Sequence, residues 1–143
     1  MSRAFGARLD ERLGRRAAEV LASPRYRLHV FTSRGMHLLG REGRLRTPLG
    51  YLGAVASNAV NRRALGLWLE RVVFSDPRSA LPFGLGDFRT RQVALDRHNL
   101  APAILASCSI PFWLDAVHDL PGAPRGAYWD GGITDYHLHL PYA

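Results

Sequence analysis

A carboxylate followed by two glycines is the feature of this sequence with the clearest chemical potential. Asp130, Gly131 and Gly132 come directly after Tyr128 and Trp129, an apolar pair typical of a buried strand. We therefore predict that Asp130 lies at the end of a strand and faces open space, where α/β enzymes keep catalytic groups. Glycines can adopt positive φ and let another backbone, or a substrate, approach closely. The same three residues are also typical of an ordinary turn.

A second stretch, made of small residues, lies upstream of this carboxylate. The segment from Asn99 to Pro111 reads Asn-Leu-Ala-Pro-Ala-Ile-Leu-Ala-Ser-Cys-Ser-Ile-Pro. It predicts a helix with Asn99 as its N-cap and Pro102 at its third position, where a missing amide hydrogen costs little. Together the two stretches resemble the patatin-like phospholipases. In that family an Ala-Ser-x-x-Ile-Pro element is followed by a short strand, a loop and the catalytic Asp-Gly-Gly or Asp-Gly-Ala.

The resemblance implies both a fold and a reaction. Patatin-like proteins are three-layer α/β/α assemblies in which helices cover a central sheet. The resemblance implies hydrolysis of lipid or other carboxylic esters by a Ser-Asp dyad, with Asp130 as the general base and Gly131 and Gly132 as the motif glycines. The serine attacks the ester carbonyl, while the aspartate takes its proton and later helps to activate water. The resemblance implies no cofactor and no metal ion.

The sequence does not supply the nucleophile of such a dyad. The family places Gly-x-Ser-x-Gly, and a glycine-rich oxyanion loop, ahead of the region of resemblance, and neither is present here. Ser33 and Ser57 lack the flanking glycines that a tight nucleophile turn requires. We therefore expect residues 1–143 to form a single incomplete domain, the C-terminal portion of a patatin-like domain. The serine would lie outside this chain, and the chain alone would be inactive.

Other side chains offer substitutes for the missing nucleophile and its base. Ser107, Cys108 and Ser109 are candidate nucleophiles, and His98 or His118 are candidate bases. Small residues before a proline more often serve close packing, so we expect these positions to be structural.

Two further functional classes stay open. In a metal-dependent enzyme, His137 and His139 would share one face of a strand and bind zinc or iron, with Asp130 or Asp135 as a carboxylate ligand. Surface histidines on an alternating strand explain the pair equally well, and a structural turn role is the expectation for Asp135. The third class is a non-catalytic remnant that binds lipid or a protein partner.

Composition limits the partners and the location. Of the 143 residues, 47% are hydrophobic and 22% charged, as in a globular domain with a core. The net charge of +7 comes from arginine alone and favours anionic partners, including peripheral contact with a membrane. No basic run exceeds two residues and no aromatic side chains interleave a basic stripe, which predicts no nucleic-acid partner. With no signal segment or apolar run of membrane-spanning length, the predicted location is cytoplasmic. The oligomeric state stays open.

The remaining pattern fits an α/β protein. Leu67 to Ser75 is apolar enough for either the end of a buried helix or a strand. His29, on an alternating strand, is expected to be structural. The other predicted elements are an amphipathic helix from Phe5 to Leu21, a strand from Tyr26 to Ser33, a hairpin within Gly35 to Leu45, a helix opening at Thr47-Pro48, a loop from Asp76 to Asp87, and strands from Phe88 to Leu95 and Ala127 to Trp129.

Overall fold

The chain forms an α/β fold around a five-stranded mixed sheet, which confirms the predicted class. The computed structural model describes residues 7–9, 11–13, 16–36, 66–81, 89–111 and 113–135. Residues 7–9 and 11–13 are helical. The three-layer arrangement of helices and sheet stays a prediction. The elements in chain order are α1 (Ala17–Ala22), β1 (His29–Gly35), β2 (Leu69–Ser75), β3 (Thr90–Ala94), α2 (Leu100–Ser107), β4 (Val117–His118), β5 (Ala127–Asp130) and a 3₁₀ helix (Gly131–Ile133).

Strand β1 occupies the centre of the sheet, whose order is β3-β2-β1-β5-β4. Among the described strands, β2 and β3 run parallel and the other neighbouring pairs are antiparallel. Thr32 of β1 lies opposite Asp130 of β5, and Arg34 lies between Glu70 on β2 and Tyr128 on β5. The end of β5 therefore rests against the middle of the central strand.

Helix α2 packs against one face of the sheet. Its Leu100, Ala103 and Ala106 join Val72 and Phe74 of β2 in one buried apolar cluster. Small side chains on α2 let its backbone approach the sheet closely. On the opposite face Leu69, Ala127 and Trp129 form a second buried cluster. Side chains alternate between the faces along a strand, so these two clusters account for the apolar pattern of β2 and β5.

The structure shows which element the segment from Leu67 to Ser75 forms, a question that periodicity leaves open. Residues 69–75 form a strand in which all seven side chains are buried. This strand pairs along one edge with β1 and along the other with β3, so its backbone groups are bonded on both sides. Burial on both faces replaces the alternating pattern with a nearly continuous apolar run, which resembles a buried helix in sequence.

Other predicted boundaries move by a few residues. The strand expected from Tyr26 begins at His29 and continues to Gly35, because pairing with β2 extends to Leu69. Pro102 takes the third helical position, as predicted. The predicted hairpin within residues 37–45 and the helix from Thr47 lie outside the described residues, and the predicted loop from Asp76 is described only to residue 81.

Asn99 occupies the N-cap position of α2, as predicted. Its side chain makes no bond to the helix amides. Instead, its Oδ1 accepts from the Asp96 amide at 2.9 Å and its Nδ2 donates to the Ala94 carbonyl at 2.9 Å. Asp96 Oδ1 accepts from the amides of His98 and Asn99 at 2.7 and 3.0 Å. The carboxylate of Asp96 therefore caps the turn that precedes α2, and the Asn99 side chain ties this turn to the end of β3.

Within the described ranges, no helix has the length and apolar character needed to span a bilayer.

Candidate functional site

Within the described part of the chain, the carboxylate of Asp130 is held through one of its two oxygens. Asp130 is the last residue of β5 and the N-cap of the 3₁₀ helix, and its Oδ1 accepts a hydrogen bond from the Gly132 amide at 2.7 Å. Its Oδ2 has no hydrogen-bond partner among the described residues. The residue is only partly buried. The turn bond thus orients the carboxylate and leaves its second oxygen able to accept a proton.

The two sequence stretches meet in the structure. The Asp130 amide donates to the Ser109 carbonyl at 2.9 Å, which ties the end of β5 to the segment that follows α2. The Ser109 hydroxyl in turn donates to the Leu105 carbonyl at 2.9 Å. The Ala-Ser-x-x-Ile-Pro element therefore supports the strand end that presents Asp130.

Gly131 is required by close packing. A Cβ at this position would lie 2.4 Å from the Phe31 carbonyl oxygen and 2.7 Å from the Phe31 carbonyl carbon. At Gly132 the nearest atom to a Cβ is Asp130 Oδ1, at 3.2 Å. The close backbone approach predicted for the glycines is confirmed at Gly131. Positive φ is not used at either position; the described glycines that have it are Gly122 and Gly126.

A buried ion pair fixes the far end of the same turn. Arg71 donates from Nε to Asp135 Oδ2 at 2.6 Å and from Nη2 to Oδ1 at 2.5 Å, and the two side chains are 3% and 6% exposed. The amides of Thr134 and Asp135 both donate to the Gly131 carbonyl, at 3.1 and 3.0 Å. The Thr134 hydroxyl lies 3.2 Å from the Ser33 hydroxyl. These contacts clamp the turn after Asp130 onto β1 and β2.

Sequence reasoning gave Asp135 a structural role but missed its partner Arg71. The available signal was the charged pair Glu70-Arg71 inside an apolar run, because charges in a buried strand require partners.

A cavity of about 360 Å³ lies beside the turn. Apolar groups of Val30, Phe31 and Ile104 form part of its wall. The other lining residues are His29, Ser107, Cys108, Gly131, Gly132 and Asp135. A larger cavity of about 660 Å³ is lined by charged residues of the N-terminal segment and by none of the motif residues. We therefore place the candidate site at the smaller cavity.

The candidate nucleophiles differ in their access to this cavity. The hydroxyls of Ser33 and Ser109 are buried and bonded to Thr134 and Leu105, whereas Ser107 and Cys108 line the cavity. Ser57 is outside the described residues.

The exposed Cys108 thiol is a weak nucleophile at neutral pH. Loss of hydration where the thiol contacts the protein raises the pKa of Cys108, and the negative charge of Asp130 raises this pKa further. The thiol therefore stays protonated, whereas attack requires the thiolate.

The histidines proposed as bases lie away from these groups. His98 precedes α2 while Cys108 follows it, and ten residues of helix span about 15 Å. His118 pairs with Ala127, which is three residues, or about 10 Å of strand, before Asp130. His29, expected to be structural, lines the cavity, and its buried Nδ1 has no partner among the described residues. Sequence reasoning missed that His29 lines a cavity. The available signal was a polar residue at the start of an alternating strand.

The proposed metal ligands His137 and His139 lie outside the described residues. In the part of the chain that is described, no group of three or more His, Cys, Asp and Glu side chains could hold a metal ion.

Comparisons with known proteins return no match, whether with family models, with curated proteins or with solved structures. Fold and site together define an α/β protein with an oriented carboxylate at a strand end, beside a partly apolar cavity.

Proposed function

We propose that this chain carries the general-base portion of a patatin-like acyl hydrolase that cleaves lipid or other carboxylic esters. The observation that carries the proposal is the Asp130 carboxylate, which is anchored through Oδ1 by the Gly132 amide and whose Oδ2 has no hydrogen bond among the described residues. A base needs this combination of a fixed orientation and an oxygen free to accept a proton. Gly131 and Gly132 provide the turn.

The surroundings of Asp130 favour proton transfer from a hydroxyl. A carboxylate is a weak base for an alcohol, so the transfer needs a short, oriented contact and little competing water. Tyr128, whose side chain lies on the same face of the sheet as Asp130, is almost fully buried, and Val30 and Phe31 line the neighbouring cavity. These apolar groups reduce the water around the carboxylate on the protein side.

The size and lining of the cavity support a small ester or one end of an acyl chain as the ligand. At about 360 Å³, the cavity is near the lower limit of typical ligand pockets, about 300 Å³. Its apolar wall suits a hydrocarbon group, and its polar side suits an ester group.

In this proposal the attacking serine lies outside the chain. The buried hydroxyls of Ser33 and Ser109 are bonded elsewhere, and Cys108 stays protonated. The serine attacks the ester carbonyl as Asp130 Oδ2 takes its proton, and water then releases the acyl group with Asp130 again as base. The chain alone is inactive. We place the protein in the cytoplasm, with peripheral contact to a membrane and a three-layer fold.

Labelling with a fluorophosphonate, which reacts with activated serines, tests the proposal. The 143-residue chain is compared with the product of the longest open reading frame that contains it. Each is prepared as wild type, Asp130→Asn and the control Asp115→Asn, whose carboxylate is exposed. We expect labelling of the longer protein, its loss in Asp130→Asn and its retention in Asp115→Asn.

Two other results would change the conclusion. Labelling of the short chain that disappears in Asp130→Asn would keep Asp130 as the base but place the nucleophile within this chain, with Ser107 the first residue to replace. If neither protein reacts, the hydrolase proposal is wrong. If the longer protein reacts and both aspartate variants react as the wild type does, Asp130 is not the general base.

A further inference from the structure

A second polar cluster lies at the other end of β1 from the candidate site. Its centre is the carboxylate of Glu70, whose side chain is 2% exposed. Arg34, opposite Glu70 on β1, pairs with Oε2 through Nη1. Arg89 and Arg91 both approach Oε1 through Nε, each at 3.4 Å. We call these four residues the Glu70 cluster.

Charge is unbalanced in the Glu70 cluster. Three guanidinium groups surround one carboxylate, so three positive charges and one negative charge leave a net charge of +2. Arg34 alone balances the buried carboxylate and does so with the shortest contact. Arg89 and Arg91 are therefore surplus to the neutralisation of Glu70, and they repel each other across the same oxygen.

The two surplus arginines are accessible and incompletely bonded. Their side chains are 61% and 47% exposed, and each meets Glu70 only through Nε at a long distance. Their Nη atoms have no partner among the described residues. Each guanidinium therefore keeps donors available for an incoming acceptor.

The spacing of the surplus arginines suits one ligand. Arg89 and Arg91 are two residues apart on extended chain, since the Arg89 carbonyl accepts from the Arg71 amide and continues the β2–β3 ladder. Their side chains thus leave the same face of the sheet, about 6.6 Å apart along the strand. Strand β3 is the outermost of the five described strands, and a ligand can reach both guanidinium groups because the two side chains are substantially exposed.

We propose that the Glu70 cluster is a binding site for a phosphate group, carried by a lipid headgroup or present as free phosphate. Arginine guanidinium groups recognise phosphate through paired, charge-assisted hydrogen bonds. A phosphate between Arg89 and Arg91 neutralises the excess charge and removes their mutual repulsion. Buried Glu70, held by Arg34, contacts both guanidinium groups through Nε, which leaves their Nη atoms available to the phosphate. The site is independent of the proposed hydrolase activity.

Two probes test the site in the full 143-residue chain. Inorganic phosphate binding is measured by titration calorimetry, and lipid binding by flotation with phosphatidylcholine vesicles that contain or lack phosphatidic acid. The test variant is Arg89→Gln/Arg91→Gln. The matched control is Arg25→Gln/Arg97→Gln, which removes the same charge from exposed positions outside the cluster. Low ionic strength is used because salt screens such contacts.

We expect the test variant to bind about tenfold or more weakly than wild type, because it lacks two charge-assisted contacts. The control should bind as wild type does. Binding of inorganic phosphate alone would assign the site to free phosphate. Binding of phosphatidic acid vesicles alone would assign it to lipid headgroups.

Two results would overturn the proposal: neither probe binds the wild type, or the test and control variants lose binding equally. The second would mean that net charge, and not the cluster, is responsible. Should the double variant unfold, Arg89→Gln alone replaces the more exposed group and carries the same comparison.

Discussion

Replacing either motif glycine by alanine should separate the packing role of the turn from its chemical role. At position 131 the new Cβ would lie 2.4 Å from the Phe31 carbonyl oxygen. A carbon and a carbonyl oxygen normally stay about 3.3 Å apart or more, so the gap is too small by about 1 Å. Phe31 lies on the central strand, where it pairs with Val73 of β2, and cannot move without its neighbours.

The expected loss of stability in Gly131→Ala follows from two opposing effects. Forcing an extra carbon into packed structure costs about 1–3 kcal/mol. Alanine also restricts the unfolded chain and returns about 0.4–1 kcal/mol. The net loss is then about 1–2 kcal/mol, equivalent to a fall in Tm of about 2–8 °C for a domain of this size.

Gly132→Ala provides the matched comparison. Its Cβ would lie 3.2 Å from Asp130 Oδ1, which is the end of a side chain that can rotate. We expect a stability within about 0.5 kcal/mol of wild type. The carboxylate must shift by a few tenths of an ångström, however, so any reaction that uses Asp130 should slow.

Urea denaturation followed by circular dichroism gives the free energy of unfolding for all three proteins. Similar slopes against urea would show that the same structure unfolds in each case. The packing account is refuted if Gly131→Ala is as stable as wild type, or if both variants lose stability equally.

Three further predictions concern titrating groups. Asp130→Asn should lower the pKa of Cys108 by removing a nearby negative charge, so alkylation of this single cysteine should reach half its maximal rate at lower pH; an unchanged midpoint contradicts their proximity. The Arg78 hydrogen bond holds the pKa of Asp76 well below its usual 3.8, so its stabilisation is present above about pH 4 and lost as pH falls further. The stability difference between wild type and Asp76→Asn should shrink in acid, as urea midpoints can show. Burial raises the pKa of Tyr128 to about 12, so the free energy of unfolding should fall as pH rises from about 10. In a pH titration followed by phenolate absorbance, Tyr128→Phe should lack the step at the highest pH. Persistence of that step in the variant contradicts the assignment.

Local sequence patterns predicted the strand that carries Asp130, the helix from residue 100 and the close approach at Gly131. Each depends on residues that are neighbours in the chain: an apolar pair before a carboxylate, a run of small side chains, and a glycine after the strand. Such signals survive folding because the backbone geometry they specify is local.

Long-range contacts could not be predicted in this way. The bond between the Asp130 amide and the Ser109 carbonyl joins residues 21 positions apart, and the Arg71–Asp135 pair joins residues 64 positions apart. Both depend on strand order, which one sequence does not reveal. The same holds for His29, whose place in the cavity wall follows from the pairing of β1 with its neighbours.

Because Gly131 packs densely on Phe31, its presence in a sequence motif can reflect packing and not catalysis. A glycine at that position is demanded by the architecture of the sheet, whether or not any ester is ever cleaved. Descendants of such a chain that lost activity would keep this glycine under selection for folding, while the carboxylate before it drifted. The presence of Gly131 is therefore evidence of shared architecture, and under the proposed function only the acidic residue before it bears on activity.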